Sequence, residues 1–312
     1  MNNTANKTTE TENKACEAEV KKPRKRRFGD RLDGRRLRTL EPMAMVSPFI
    51  MADRNDSMNM FAETIDITTC EKFLREQKAA GNINMGMLHV FLAAYVRTVS
   101  QRPAINRFIA GQRVFARNNI EVVMTIKKEL SLDSPDTVVK CYFEPTDTIV
   151  DVYNKFNKVV EENTGNESNS DFDKTAKVLT YLPRFLLRFA VWALKTLDYY
   201  FCLPKFLLGV SPFHGSFIIT SMGSLGISPI YHHLYNFGTL PIFLSYGKKR
   251  KENRVNDDGT VEIRPVMDIT VVTDERICDG FYYAGAFKMM QRLIKNPYVL
   301  LDPPEKVIED ID

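Results

Sequence analysis

The sequence predicts a mixed α/β fold, a sheet covered by helices, on three observations. Strand-like and helix-like stretches follow one another irregularly instead of as repeated βαβ units. The 312 residues suffice to bury a sizeable core. No Pro/Gly/Ser-rich linker divides the middle, so a single domain accounts for the chain. Apolar residues make up 44% and charged residues 26%, the ordinary range of globular proteins. The balance of 43 Lys+Arg against 39 Asp+Glu leaves only +4, too little to point to nucleic acid.

Taken in order, residues 1–27 are expected to form a disordered basic tail and residues 28–312 the domain. The polar stretch up to about residue 20 has no hydrophobic period and cannot offset the entropy of ordering. Residues 21–27 concentrate positive charge, which Arg31, Arg35, Arg36 and Arg38 continue. The run reads as a solvated arm, with an anionic membrane surface as its alternative partner. The scarcity of aromatic residues able to stack bases argues against nucleic acid. Folded character is expected from Phe49.

Residues 61–67 alternate as a strand, and Thr68 or Thr69 is expected to cap a helix that buries Phe73 and Leu74. A second helix is expected over 87–100, with Phe91, Leu92, Tyr95 and Val96 on one face, and Pro103 excludes its continuation. Between 114 and 143 the β-branched and aromatic runs 122–126 and 138–143 read as strands, joined by a turn at 133–136. Residues 148–162 return to a helical period, and 163–173 are a polar loop.

The stretch 182–210 is apolar almost all round. Arg184, Arg188, Lys195 and Asp198 fall within a narrow stripe, while Phe185, Phe189, Val191, Trp192 and their neighbours fill the rest. Such a helix is expected to be covered, within the domain or by another subunit. An in-plane membrane helix is the alternative, and charges at successive levels argue against a spanning one.

Five scattered cysteines without CxxC spacing argue against a zinc site and a disulfide framework, so no metal is expected. The N-terminus lacks the apolar stretch of a secretory signal. The expected location is cytoplasmic, or peripheral at a membrane.

The chemical signal lies in the last third. Residues 215–226, GSFIITSMGSLG, form an apolar strand that breaks into hydroxyls and glycines. Residues 271–287, VVTDERICDGFYYAGAF, run from a strand into a helix through charged residues and a glycine. Together they resemble the catalytic domain of the dihydrolipoamide acyltransferases of 2-oxo acid dehydrogenase complexes, and more distantly chloramphenicol acetyltransferase. The family's Asp-His-Arg-x-x-Asp-Gly corresponds to Asp274-Glu275-Arg276-Ile277-Cys278-Asp279-Gly280 here. The 61–67 strand with its following helix, Arg102-Pro103-Ala104-Ile105-Asn106 and residues 236–247 occur in the family's order. Residues 127–136 depart from its usual strand pair, and 182–210 reads as an insertion.

The resemblance implies a chloramphenicol acetyltransferase-like two-layer sandwich, a homotrimer with its active site between subunits, coenzyme A or acyl-CoA as substrate and a small-molecule acyl acceptor. In the family a histidine takes a thiol proton, the sulfur attacks a thioester carbonyl, and a neighbouring subunit's hydroxyl holds the oxyanion. Thr220, with Ser221 beside it, stands at the hydroxyl position and Asp279 at the buttressing carboxylate, with Asp274, Arg276 and Gly280 supporting the loop. Glu275 stands where the histidine belongs. A carboxylate near 4.3 lies some four units below a thiol, about 5 kcal/mol uphill as a base. His232, His233 and His214 are candidate substitutes. Two readings follow, a CoA-dependent acyltransferase and a catalytically inactive trimer serving as a binding or scaffolding protein.

Overall fold

The computed structural model describes residues 25–127, 136–164 and 181–312. The predicted turn at 133–136 therefore lies outside the described residues apart from Asp136. The loop at 163–173 lies outside them beyond Thr164, and so does the tail up to residue 24.

Six strands form the main sheet in the order β2, β9, β8, β7, β5, β6, where β2 is Met58–Asp66, β5 Ile120–Lys127, β6 Asp136–Phe143, β7 Phe217–Ser221, β8 Ile242–Val255 and β9 Val261–Asp274. β7 pairs parallel with β5 on one side and β8 on the other; the remaining pairs are antiparallel. One sheet face carries helices α2 (Thr68–Ala79), α3 (Met87–Gln101), α4 (Ile149–Thr164) and α7 (Gly280–Lys295), which gives the two layers. A smaller sheet joins β1 (Gly34–Arg36), β4 (Arg113–Arg117) and β3 (Arg107–Ala110). The short helix α1 spans Pro42–Ile50.

The core sits between sheet and helices. α3 runs through it with Val90 to Ser100 buried on every side, and Tyr95 stacks on Phe217 of β7 at 4.1 Å. Burial of this kind contributes about 25 cal/mol per Å² of apolar area. α2 begins as the spacing predicts, but its first turn is capped from Asp66, whose carboxylate accepts the Thr68 N–H and hydroxyl.

Order begins earlier than Phe49. β1 pairs with β4 at Gly34–Arg36, and Arg31 is 3% exposed, with its guanidinium between Asp33 (2.8 Å) and Asp198 (2.9 Å). Arg35 donates to the carbonyls of Asp310 and Ile311. A charge run reads as solvated only until its partners are located, and apart from Asp33 these lie far along the chain.

The 182–210 stretch forms α5 (Arg184–Tyr199) and α6 (Lys205–Val210), broken at Pro204. Within the protomer α5 is not covered as expected. Only Asp198 of its sixteen residues is buried, while Phe185, Phe189 and Trp192 are exposed.

Candidate active site

β9 ends at Asp274, a carboxylate 1% exposed. Arg276 folds back on it with two bonds of 2.8 Å, Arg54 adds a contact at 3.3 Å, and the Ser57 hydroxyl donates at 3.2 Å. Two guanidiniums compensate one buried charge, which otherwise costs several kcal/mol to desolvate. Arg276 also binds the carbonyls of Met51 and Ala52, and Tyr283 donates to the Asp274 carbonyl.

Glu275 sits between these two locked neighbours. Its backbone N–H bonds Ser57 O at 2.9 Å, its side chain is partly exposed, and its carboxylate has no hydrogen bond or ion pair among the described residues. Asp279 lies on the exposed rim, where it caps α7 by accepting the Tyr282 N–H at 2.8 Å, with Gly280 as the first helical residue. Burial, before any neighbour, pushes the Cys278 thiol well above the ordinary range, which disfavours the thiolate.

The loop 231–238 lies against this turn. Arg54 reaches from Asp274 to the carbonyls of Tyr235 and Gly238. Gly238 has φ +91°, and a Cβ there would meet the Phe213 carbonyl at 2.0 Å, so only glycine fits. His232 stacks on Phe243 at 4.2 Å, and His233 stacks on His232 at 4.7 Å. His233 is exposed and His232 half-buried, on the side of the sheet away from the helices. His214 is different: it is 1% exposed, with Nδ1 2.8 Å from the Ser211 hydroxyl and Nε2 3.2 Å from Asp198. Burial lowers its pKa, and the ring is sealed inside the protomer.

Thr220 and Ser221 lie elsewhere. Thr220 pairs with Ser245, which pairs with Thr270, five residues before Glu275. At about 3.4 Å per residue Thr220 is therefore about 17 Å back along the strands, and two strands across. Within one protomer the hydroxyl and the carboxylate do not meet. Alternation also separates the two hydroxyls. Thr220 shares the open face with Ile218, whereas Ser221 shares the helix side with Tyr246.

Ser221 lines a cavity of about 470 Å³ with Gly223, Arg75, Lys78, Lys248 and Lys249. Gly223 packs so closely on Gly247 that a Cβ would lie 2.6 Å from its carbonyl oxygen. Lys249 is paired with Glu71 at 2.8 Å, while Arg75, Lys78 and Lys248 have no acidic partner among the described residues. Neither Arg54 nor this basic rim figures in the sequence-based site. Arg54 has no local pattern, but the Lys248-Lys249-Arg250-Lys251 run after the hydroxyl strand was a readable signal.

The fold, a six-stranded mixed sheet covered on one face by helices, is shared with dihydrolipoamide acetyltransferase structures. Residues 212–301 match the family model of the 2-oxoacid dehydrogenases acyltransferase catalytic domain. The structure is similar to a probable dihydrolipoamide acetyltransferase from Listeria monocytogenes (TM-score 0.52, 14% identity, 83% of this chain and 94% of that one). It is also similar to the truncated catalytic core of a 2-oxoacid dehydrogenase complex from Thermoplasma acidophilum (TM-score 0.51, 14% identity, 84% and 98%). A third similar structure is a dihydrolipoamide acetyltransferase from Azotobacter vinelandii, studied for the roles of a serine, a histidine and an asparagine in its catalytic mechanism (TM-score 0.51, 16% identity, 85% and 94%). No curated protein matches the chain by sequence.

Proposed function

We propose that this chain is a CoA-dependent acyltransferase, active as a homotrimer, that transfers an acyl group from the thioester to a small amine. The observation that carries the reading is the Glu275 carboxylate, unpaired among the described residues and held partly exposed between Asp274 and Arg276, which are locked to each other.

A carboxylate is too weak to deprotonate a thiol before attack, by about 5 kcal/mol. A neutral amine needs no prior deprotonation. Its nitrogen attacks the thioester carbonyl, the C–S bond breaks, and the ammonium proton formed during attack passes to Glu275 and on to the departing thiolate. Thr220 donates its hydroxyl to the oxyanion. Since Thr220 and Glu275 lie apart in one protomer, they must come from different copies. The β8–β9 hairpin supports assembly: its outer half leaves Val255, Val261 and Ile263 exposed at 72%, 64% and 63%. Arg75, Lys78 and Lys248 suit the phosphates of coenzyme A beside Ser221.

Thiol release from acetyl-CoA, measured against a panel of amines, thiols and alcohols, tests this. Amines are expected to turn over, with a loss of about 10²–10⁴-fold in Glu275→Gln and about 10²–10³-fold in Thr220→Ala. Glu275→His is expected to move preference toward thiols. Absence of turnover with every acceptor, in protein that binds no CoA by calorimetry, would leave the scaffolding trimer as the reading.

A further inference from the structure

Helix α5 takes part in no step of this reaction, yet its placement is tightly fixed. On its inner side Asp198 accepts from Arg31 at 2.9 Å and lies 3.2 Å from His214 Nε2, so the helix is held to the body by a buried charge. This anchor sets which face points outward.

The outward face carries Phe185, Phe189 and Trp192 at exposures of 70%, 61% and 60%. Their spacing of four and three residues makes one stripe. Phe206 of α6 adds another exposed ring at 63%. Nothing among the described residues packs over the stripe. Along its edge run Arg184, Arg188 and Lys195, all exposed, and Lys205 follows. The only acid between 181 and 210 is the buried Asp198, so every exposed charge of this segment is positive. At the C-terminal end the exposed Arg113 lies over Phe201, 5.7 Å from its ring centroid. Arg36 is close enough to Arg113 that, after burial, this neighbour's charge is what most lowers its pKa.

An aromatic stripe flanked by charge of one sign fits a layer that is apolar below and anionic above. No helix among the described residues is long and apolar enough to cross a membrane, so the fit is to a surface. We propose that α5 is an interfacial helix that lays Phe185, Phe189 and Trp192 into the headgroup boundary of an anionic bilayer, with Arg184, Arg188 and Lys195 over the lipid phosphates. Lys195 and Tyr199 of the same helix also line an open cavity of about 480 Å³ with Asn236 and Arg276, so docking brings the lipid surface beside the active-site turn.

Trp192 is the only tryptophan of the chain, which makes the test direct. The full-length protein is titrated with phosphatidylcholine vesicles with and without phosphatidylglycerol, following tryptophan emission and co-sedimentation. Vesicles containing phosphatidylglycerol are expected to shift emission to the blue and to sediment the protein, and added salt to reverse both. Replacing Arg184, Arg188 and Lys195 with glutamine is expected to weaken partitioning about fivefold per charge, roughly a hundredfold together. The Phe185→Ser/Phe189→Ser variant is expected to abolish the shift, with its fold checked by circular dichroism. An unchanged spectrum with both vesicles, or an equal response to both, overturns the proposal. So does a blue shift that depends on protein concentration without lipid, which would place a second copy on this face.

Discussion

Asp274 and Glu275 are adjacent residues with opposite duties. Asp274 neutralises two buried guanidiniums, so Asp274→Asn is expected to lower stability by about 3–5 kcal/mol in urea unfolding. Glu275 is partly exposed and unpaired among the described residues, so Glu275→Gln is expected to stay within about 0.5 kcal/mol of the parent while changing turnover. Similar folding of the two variants would contradict this division of labour. Asp198 gives a pH prediction. Burial alone would raise its carboxyl, but contact with His214 and Arg31 overcomes that and brings it to about 2, from an ordinary 3.8. The unfolded chain then binds the proton more readily. The contribution, about 2 kcal/mol, is complete above pH 3.8 and disappears as pH falls toward 2. Acid unfolding followed by circular dichroism should begin at lower pH in the parent than in Asp198→Asn. The residues of the Asp-x-Arg-x-x-Asp-Gly turn were legible because they are contiguous; Arg54 was not, because its carboxylate partner is 220 positions away.

Among the elements, those that bury one face on the sheet were the most legible. α3 and α4 follow from apolar spacing, and the strands from β-branched runs, since periods of 3.6 and 2 are written locally. α5 was legible as a helix but not in its surroundings, because an apolar surface does not say which neighbour reaches it. The loop 231–238 depends on one backbone conformation. Gly238→Ala is expected to cost about 2–3 kcal/mol, through positive φ and the clash with Phe213, and to loosen the hold of Arg54 on the turn after β9. A thermal melt matching the parent would show that the loop can shift without cost. At α7, Asp279→Ala is expected to cost about 1 kcal/mol as a lost cap. A larger loss of turnover than of stability would give Asp279 a role beyond capping.

At the scale of the molecule, the separation of Thr220 from Glu275 makes assembly a condition of the activity we propose. Light scattering is expected to give three times the chain mass, and Val261→Lys/Ile263→Lys on the exposed hairpin to reduce both mass and turnover. A fully active monomer would sink the shared site. By itself the sequence determined β2, the strands within 114–143, the helices α2 to α5 and the strand, turn and helix of 271–287, because period and motif are properties of neighbouring residues; β1, α1 and the full β8–β9 hairpin were not legible in it. Tertiary structure alone decided that Arg31 leaves the basic arm to meet Asp198, 167 positions on, and that α5 points its rings outward. Charge pairing and burial depend on which distant segments the fold brings together, and no local pattern encodes that.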